Sequence, residues 1–441
     1  MTTYLRLGDS TTMLDRMITF LRDIPVSRRL QRLGWARLAS ACLAAVTCSA
    51  GVLPAQSPAF TLPMPTGHDV IGTTRFVIDT ASARPLVVTA WYPAIRRAAN
   101  TPTAPYLREE AALRTMAAWG QNPGPMLLRN ATVITHSHLD APLARGKLPV
   151  VVFSHGYLDQ PSSYTALMED LASHGYAVFS VAHTGETMAV TLPDGRVSSI
   201  FRETGGLQPI PAAVSAEWRA EDSVATAITT APNAAAAEAV LRAYLRSIPT
   251  ITTSLDRWLD DLRRVVEDLG RRNLRQSGSP FARHLDLAHI AAVGHSMGGV
   301  ASAAFCARDT RCRAAINLDG SPQYGELIDH PARTPFLMVY GSRPGRIGVS
   351  DIVYDKGADY WRAVVDGALH MNFGDWMYWP ADSPVAASLG SLSAEACTMI
   401  VHRVVREFLD RTLRRVPAPL YAGRATLPAL TLVQRTGGTR R

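Results

Sequence analysis

One short segment restricts the fold of this chain more than any other: residues 290–299, with the sequence IAAVGHSMGG. Four apolar residues lead into Gly-x-Ser-x-Gly, and an Ala-rich stretch of helical character follows. This pattern is typical of a strand, a sharp turn that carries Ser296, and a helix that begins directly after it. Glycines suit such a turn because larger side chains would collide with the strand or the helix. A glycine-rich turn with an incidental serine is the alternative.

A serine at this turn becomes a nucleophile when a histidine accepts its proton and an acid orients that histidine. Asp319 follows the predicted strand 313–318, and His370 follows the predicted strand 360–365. Both residues therefore lie in loops at strand ends, in the order Ser, acid, His that accompanies this kind of turn. We predict that Ser296, Asp319 and His370 form a catalytic triad.

The acid has an alternative. The strand predicted at 335–340 is followed by Asp351 and Asp355, and many proteins with this turn place their acid after that strand. Asp319 itself precedes a glycine, and Asp-Gly is also a common turn after a strand. The residues alone leave this choice open.

Other histidines fit the role of general base less well than His370. They lie before the acid or, in the last case, within a helical pattern: His155, His174, His183, His295 and His402. His370 alone follows both the serine and Asp319 in a Gly-flanked loop after a strand.

A set of motifs in a fixed order carries a family resemblance. Their sequences and positions are LPVVVFSHG (148–156), DLASHG (170–175), SVAH (180–183), GHSMG (294–298), NLDG (317–320) and HMNF (370–373). Together with the WYP of residues 91–93, this set resembles the platelet-activating-factor acetylhydrolase family, the calcium-independent serine phospholipases of the α/β-hydrolase fold. The resemblance covers roughly residues 66–410, apart from the stretch around 186–250.

The resemblance implies hydrolysis of an ester or phospholipid substrate, without a metal or an organic cofactor. It favours Asp319 as the acid. It also implies an oxyanion hole formed by the backbone N–H groups of Met297 and Tyr157. A Tyr157 that only packs on the substrate cleft is the alternative role for that residue.

Two other functions remain open at this point. The GHSMGG string at 294–299 is also similar to cutinases and bacterial polyester hydrolases, so a polyester hydrolase is the alternative enzyme. A catalytically inactive binding protein of the α/β-hydrolase fold is the alternative outside enzymes.

The order of the predicted elements indicates an α/β fold with a mostly parallel central sheet and helices on both faces. An antiparallel hairpin over residues 75–80 and 85–92 opens this sheet. The alternation of strands and helices is interrupted at 186–250, which we interpret as a cap or lid insertion. An ordinary connection packed beside the domain is the other interpretation.

The N-terminal region has the features of an export signal. Several arginines precede the apolar run 38–53, and small residues follow it. We expect a signal peptide with an extended basic n-region over residues 1–55, a catalytic domain over 56–415 and a basic tail over 416–441. The mature protein would then be exported, periplasmic or extracellular. A buried N-terminal helix and an uncleaved anchor are the alternatives.

The formal net charge of +8 comes from the two ends of the chain. Residues 1–55 contain seven arginines and three acids, and seven arginines without an acid follow Asp410, so the body is slightly acidic. Basic ends favour transient contact with a membrane or lipid surface, although a solvated terminus is the more common outcome. No zinc-finger spacing or phosphate-binding loop indicates nucleic-acid binding. The sequence leaves the oligomeric state unknown.

Two further features have two interpretations each. Cys306 and Cys312 close a short loop and form either a disulfide or two free thiols, whereas Cys397 lies in a helical stretch. Trp376, Tyr378 and Trp379 follow His370 and either contact an acyl chain or lipid, or pack beneath the loop.

Overall fold

A computed structural model describes residues 61–118, 133–200, 212–331, 333–356, 359–379 and 385–435. The predicted signal peptide over residues 1–55 lies outside these ranges. The strands of the described ranges are β1 (Val70–Ile78), β2 (Leu86–Ala94), β3 (Ser137–Leu139), β4 (Leu148–Ser154), β5 (Ala177–Ala182), β6 (Val190–Thr191), β7 (Val197–Ser198), β8 (Leu285–His295), β9 (Cys312–Leu318), β10 (Phe336–Gly341), β11 (Tyr360–Val365) and β12 (Leu430–Arg435).

Most of these strands form one sheet, with the order β12-β11-β10-β9-β8-β4-β5-β2-β1-β3. The six central strands from β11 to β5 run parallel to one another. β1 and β2 form the expected antiparallel hairpin, and β2 runs antiparallel to β5. The mostly parallel sheet and its N-terminal hairpin are therefore confirmed.

Helices connect the parallel strands. Those of the described ranges are α1 (Glu110–Ala118), α2 (Thr165–Ser173), α3 (Ala212–Arg219), α4 (Glu221–Thr229), α5 (Ala234–Arg246), α6 (Pro249–Arg272), α7 (Met297–Arg308), α8 (Glu326–Asp329), α9 (Asp351–Tyr354) and α10 (Ala394–Leu409). Short 3-10 turns lie at Arg96–Asn100, Pro161–Tyr164, His370–Phe373, Asp375–Tyr378 and Ala386–Ser388, and a π-turn lies at Asp410–Arg414.

The sheet is covered by helices on both faces. Because side chains alternate along a strand, Val150 and Val152 of β4 pack on one face, and Val151 and Phe153 pack on the other. Helices α6 and α7 contribute to the first core, and α2 and α10 contribute to the second. Because helices bury apolar side chains on both faces of the sheet, the expected α/β arrangement is confirmed.

The long helix α6 continues past Gly270 to Arg272, and its buried stripe includes Trp258 and Leu262. A glycine inside a helix is tolerated when tertiary packing holds the neighbouring turns.

The C-terminal region differs from the expectation of a tail beginning at residue 416. Leu430–Arg435 forms β12, which pairs antiparallel with β11 at the edge of the sheet. Two buried residues, Leu420 and Tyr421, pack beneath this segment. The boundary at 415 is therefore wrong for residues 416–435, because alternating apolar residues in this basic stretch extend the sheet.

Cys306 and Cys312 form a disulfide between the end of α7 and the start of β9, with Cα atoms 5.0 Å apart. Cys397 is a buried free thiol on α10. Within the part of the chain that the structure describes, no helix combines the length and apolar character that crossing a membrane requires.

Candidate active site

Ser296 lies at the turn between β8 and α7, where its backbone has φ 54° and ψ −127°. This left-handed φ is strained for a non-glycine residue and is found in turns that present a nucleophile. A Cβ on Gly294 would collide with the backbone of Gly298, and one on Gly298 would collide with that of Ser154. The glycines predicted from the sequence thus allow strand, turn and helix to approach closely.

Asp319 and His370 meet at the carboxyl edge of the sheet. His370 Nδ1 lies 2.7 Å from Asp319 Oδ2, and both side chains are mostly buried. The other carboxylate oxygen of Asp319 accepts a hydrogen bond of 2.8 Å from the backbone N–H of Gly341. These two bonds orient the carboxylate towards the imidazole and leave His370 Nε2 for another partner.

The same edge brings His370 next to the serine turn. The backbone N–H of Ser296 donates to the carbonyl of Leu318 over 2.8 Å, directly before Asp319. His295 Nε2 lies 3.0 Å from the backbone oxygen of His370, and the two imidazole rings are 4.5 Å apart. The predicted acid, base and nucleophile are therefore gathered at one place in the fold.

The segment after β4 forms one wall of the site. A Cβ built on Gly156 would lie 3.5 Å from the Cβ of Ser296, which places the backbone at 156–157 beside the serine. Met297 is the first residue of α7, and the N–H groups of a helix's first turn have no partner within the helix. The positions of Tyr157 and Met297 therefore suit backbone donors that converge on a substrate oxygen.

The alternative acids are engaged elsewhere. Asp351 is buried on α9, where it accepts bonds of 2.6 Å from Tyr360 and from Arg362. Asp355 pairs with Arg435 at 3.0 Å. The structure brings neither carboxylate to His370.

The other histidines also have partners of their own. His402 is buried on α10, 3.8 Å from Asp170, and His174 caps the end of α2. His155 Nδ1 lies 2.7 Å from the backbone oxygen of Gly156, a contact within the loop after β4.

A second Ser-His-Asp arrangement lies beneath that loop, and sequence reasoning missed it. Ser154 Oγ is 2.7 Å from His183 Nε2, and His183 Nδ1 is 2.8 Å from Asp261 Oδ2. All three side chains are fully buried. Asp261 also binds Arg84, and the His183 ring stacks on Trp258 at 3.8 Å. Substrate cannot reach this serine, so the arrangement supports the loop.

The described part of the 186–250 region, residues 186–200 and 212–250, contacts the loops at the carboxyl ends of β4 and β10. Within it, Trp218 on α3 packs edge-on against Tyr157, with ring centroids 5.1 Å apart. Arg346, in the loop after β10, pairs with Asp222 at 2.6 Å and with Glu221 at 3.1 Å. The described part of this insertion is therefore in contact with the candidate site, as a cap would be.

Of Trp376, Tyr378 and Trp379, the two tryptophans are packed inside the protein, whereas Tyr378 is partly exposed. Trp376 and Trp379 are buried with ring centroids 4.1 Å apart, and Trp376 Nε1 donates to Asp159 over 3.1 Å. Packing beneath the loop, rather than a surface for acyl chains or lipid, is the role that their burial allows.

Comparison with solved structures identifies the fold. A ferulic acid esterase from Streptomyces cinnamoneus superposes with a TM-score of 0.60 at 24% sequence identity, covering 85% of this chain and 99% of that one. The chain has the α/β-hydrolase fold.

The family resemblance is also confirmed for residues 55–195. The sequence profile of "Platelet-activating factor acetylhydrolase, isoform II" matches residues 55–195. This match contains Tyr157, whereas Ser296, Asp319 and His370 lie beyond it. A comparison with curated proteins gives no significant match.

Among the described residues, there is no group of three or more His, Cys, Asp or Glu side chains placed to hold a metal ion.

Proposed function

We propose that this protein is a serine carboxylic-ester hydrolase that forms an acyl-enzyme on Ser296. The observation that carries the proposal is the hydrogen bond of 2.7 Å between His370 Nδ1 and Asp319 Oδ2, beside the strained turn of Ser296. Two comparisons support the proposal: the matching family model is named for an acetylhydrolase, and the similar solved structure is named as an esterase.

In the proposed reaction, His370 Nε2 takes the hydroxyl proton of Ser296 while the oxygen attacks the ester carbonyl. The backbone N–H groups of Tyr157 and Met297 stabilise the oxyanion of the tetrahedral intermediate. The imidazolium of His370, stabilised by Asp319, then protonates the leaving alcohol. Water attacks the acyl-enzyme by the same route in reverse, which releases the acid and restores the serine.

The favoured substrates are short-chain acyl esters or modified phospholipids. The family resemblance supports this substrate class, and the insertion residue Trp218 packs against Tyr157, next to the proposed oxyanion hole. A polyester hydrolase, which needs an open groove for a polymer chain, is the alternative enzyme.

Esters with an aromatic acyl group are a second candidate. Tyr157 and Trp218 are partly exposed and pack edge to face with ring centroids 5.1 Å apart, so two aromatic side chains lie near the proposed oxyanion hole. Offset and edge-to-face contacts of this kind favour binding of another ring. The structural neighbour is, by its name, an esterase of ferulic acid.

A hydrolysis panel tests these proposals. p-Nitrophenyl butyrate, an oxidised phospholipid, a polyester film and methyl ferulate are compared in the presence of EDTA. We expect turnover of the short ester to survive EDTA and Ser296→Ala to reduce it by at least ~10³-fold with the fold intact. Near-normal turnover of that variant would contradict the assignment of the nucleophile.

Labelling separates an enzyme from an inactive binding protein. A fluorophosphonate should modify Ser296 stoichiometrically, with the adduct located by peptide mass spectrometry. A protein that binds an ester but neither cleaves it nor reacts with the probe would be a binding protein instead.

We also propose that the protein is exported, with a mature N-terminus between about residues 51 and 58, because small residues follow the apolar run. N-terminal sequencing of the protein from its native host checks this. A product that retains Arg28–Arg37 would indicate an anchor or an intracellular enzyme.

A further inference from the structure

The hydroxyl of Tyr164 lies at a junction of three hydrogen bonds behind the candidate oxyanion loop. It accepts the backbone N–H of Gly156 at 3.0 Å, and it lies 2.8 Å from Asp159 Oδ2 and 2.8 Å from His295 Nδ1. Tyr164 is fully buried, and Asp159 and His295 are nearly so. These contacts join three segments of the chain: the loop after β4, the turn Pro161–Tyr164 and the end of β8.

The far side of His295 fixes one of its hydrogens. His295 Nε2 lies 3.0 Å from the backbone oxygen of His370. A carbonyl oxygen only accepts hydrogen bonds, so Nε2 carries a hydrogen. A neutral His295 therefore has a lone pair at Nδ1, facing Tyr164, and only a charged His295 has a hydrogen there.

Counting hydrogens then constrains the whole group. The Tyr164 hydroxyl has one hydrogen and can give it to Asp159 or to His295, but not to both. The partner that does not receive it must donate to the Tyr164 oxygen. The group therefore holds one further proton, either on Asp159 or on His295 Nδ1. Without that proton, one contact of 2.8 Å would bring two lone pairs together.

Burial decides where this proton lies. Burial raises the pKa of Asp159 and lowers the pKa of His295, and the neighbouring His370 lowers the latter further. The other titratable groups facing the chain are Asp375 and Tyr106, both buried. In both groups burial outweighs the hydrogen bonds that favour the charged form. This favours a neutral chain, in which Asp159 donates to Tyr164, Tyr164 to His295 Nδ1, and His295 Nε2 to the carbonyl of His370.

We propose that Tyr164 is a positioning residue, which joins the oxyanion loop, the nucleophile turn and the general-base loop through a one-proton chain from Asp159 to His295. The inference rests on the proposed function for its consequence in catalysis. A chain that fixes Gly156, His295 and the backbone of His370 at once would hold the two halves of the reaction centre in register.

The first test compares two Tyr→Phe variants. Tyr164→Phe removes the junction, and Tyr176→Phe is the matched control, because Tyr176 is equally buried and donates to the carboxylate of Asp410 at 2.8 Å away from the site. For p-nitrophenyl butyrate, we expect Tyr164→Phe to lower kcat by about 10- to 100-fold with KM changed less than about threefold. Tyr176→Phe should leave kcat within about twofold. A loss of kcat that is equal in the two variants would overturn the proposal.

The second test concerns the proton. Asp159→Asn can still donate a hydrogen to Tyr164 but cannot be charged, whereas Asp159→Ala cannot donate at all. Both substitutions are made in the Trp376→Phe protein, which is their reference, because Trp376 Nε1 donates to Asp159 Oδ2 at 3.1 Å and would otherwise face the new amide hydrogens. We expect Asp159→Asn to retain kcat within about fivefold, and Asp159→Ala to resemble Tyr164→Phe. If Asp159→Asn loses as much activity as Tyr164→Phe, the one-proton chain is wrong, and this comparison decides even when Asp159→Ala does not fold.

A third measurement does not depend on activity. Hydrogen exchange of the peptide that covers residues 155–158 should be faster in Tyr164→Phe than in wild type and unchanged in Tyr176→Phe. If the wild-type protein is inactive but exchange at residues 155–158 is faster in Tyr164→Phe, the proposed function is contradicted and the hydrogen-bond chain is supported. Unchanged exchange in Tyr164→Phe would overturn the chain whatever the activity.

Discussion

His370 and Asp319 lie 51 residues apart in the chain, yet Nδ1 of the imidazole is 2.7 Å from Oδ2 of the carboxylate. The parallel strands β9 and β11 end at the same edge of the sheet, with β10 between them. Gly341, the last residue of β10, donates to the second oxygen of Asp319 and so prevents the carboxylate from turning away.

This relationship gives the first prediction. Asp319→Asn should lower kcat by on the order of 10²–10⁴, because the imidazole loses both its orienting acceptor and its counter-charge. Asp351→Asn is the control, since Asp351 pairs with Arg362 and Tyr360 and should affect stability more than turnover. Steady-state kinetics on p-nitrophenyl butyrate measure both. The reverse ranking would place the acid after β10.

Local patterns predicted the elements that carry the site. The apolar run before Ser296, the glycines around it and the strands before Asp319 and His370 are all readable within about ten residues. The choice between Asp319 and Asp351 required a family resemblance, because both follow a strand and periodicity does not specify which loop meets His370.

Contacts between distant segments could not be predicted in this way. Tyr164 and His295 are 131 residues apart, and His183 and Asp261 are 78 apart. Helix α6 contains many acidic and basic residues, so its sequence does not distinguish Asp261 from the other acids. Arg84 and His183 come close to Asp261 only through the folding of the sheet. The sequence of β12 has an alternation of apolar residues, but the arginines around it favoured the interpretation of a basic tail.

The second prediction concerns the buried support of the oxyanion loop. Asp261→Asn should lower the free energy of unfolding by about 1–3 kcal/mol, because the Arg84 guanidinium, which is 26% exposed, and the buried His183 N–H lose their charged common partner. Denaturant unfolding at neutral pH measures this. Asp286→Asn, which disturbs the partly exposed pair of Asp286 and His289, should cost less than about 1 kcal/mol. Equal effects of the two substitutions would mean that the buried arrangement contributes no more than a surface pair.

The third prediction concerns how the insertion is held. Arg343 and Arg346, in the loop after β10, pair with Asp222 at 2.6 Å each, and Arg346 also pairs with Glu221. The double substitution Glu221→Gln and Asp222→Asn should therefore make the 212–246 region more sensitive to limited proteolysis, while the melting temperature of the domain changes little.

A matched surface pair provides the control for that experiment. Glu267→Gln removes the pair with Arg263 on α6, where both side chains are exposed. It should leave proteolysis of the insertion unchanged, because exposed pairs contribute only about 0–1 kcal/mol. Cleavage sites are located by mass spectrometry, and an unchanged cleavage rate in the double variant would show that packing rather than charge holds the insertion.

The fourth prediction concerns pH and stability. Asp375 is buried against the start of α2, where it accepts the backbone N–H of Ala166 at 3.2 Å, and burial raises its pKa to about 8. Between its ordinary value and about 8, the unfolded chain has lost this proton and the folded protein has kept it. The native state therefore binds more protons, and stability falls as pH rises through this window.

Asp375→Asn removes this dependence, because an amide does not titrate and can still accept the N–H of Ala166. The melting temperature of the variant relative to wild type should rise from pH 5 to about 8, by several degrees in total, and then stay level. Asp194→Asn, in the exposed turn between β6 and β7, is the control. The hydrogen bonds from Arg196 lower the pKa of Asp194, so this carboxylate is ionised throughout the range. The melting-temperature difference between Asp194→Asn and wild type should therefore not change with pH. If the melting-temperature difference between Asp375→Asn and wild type is constant from pH 5 to 9, the Asp375 carboxyl is already ionised in the folded protein at pH 5.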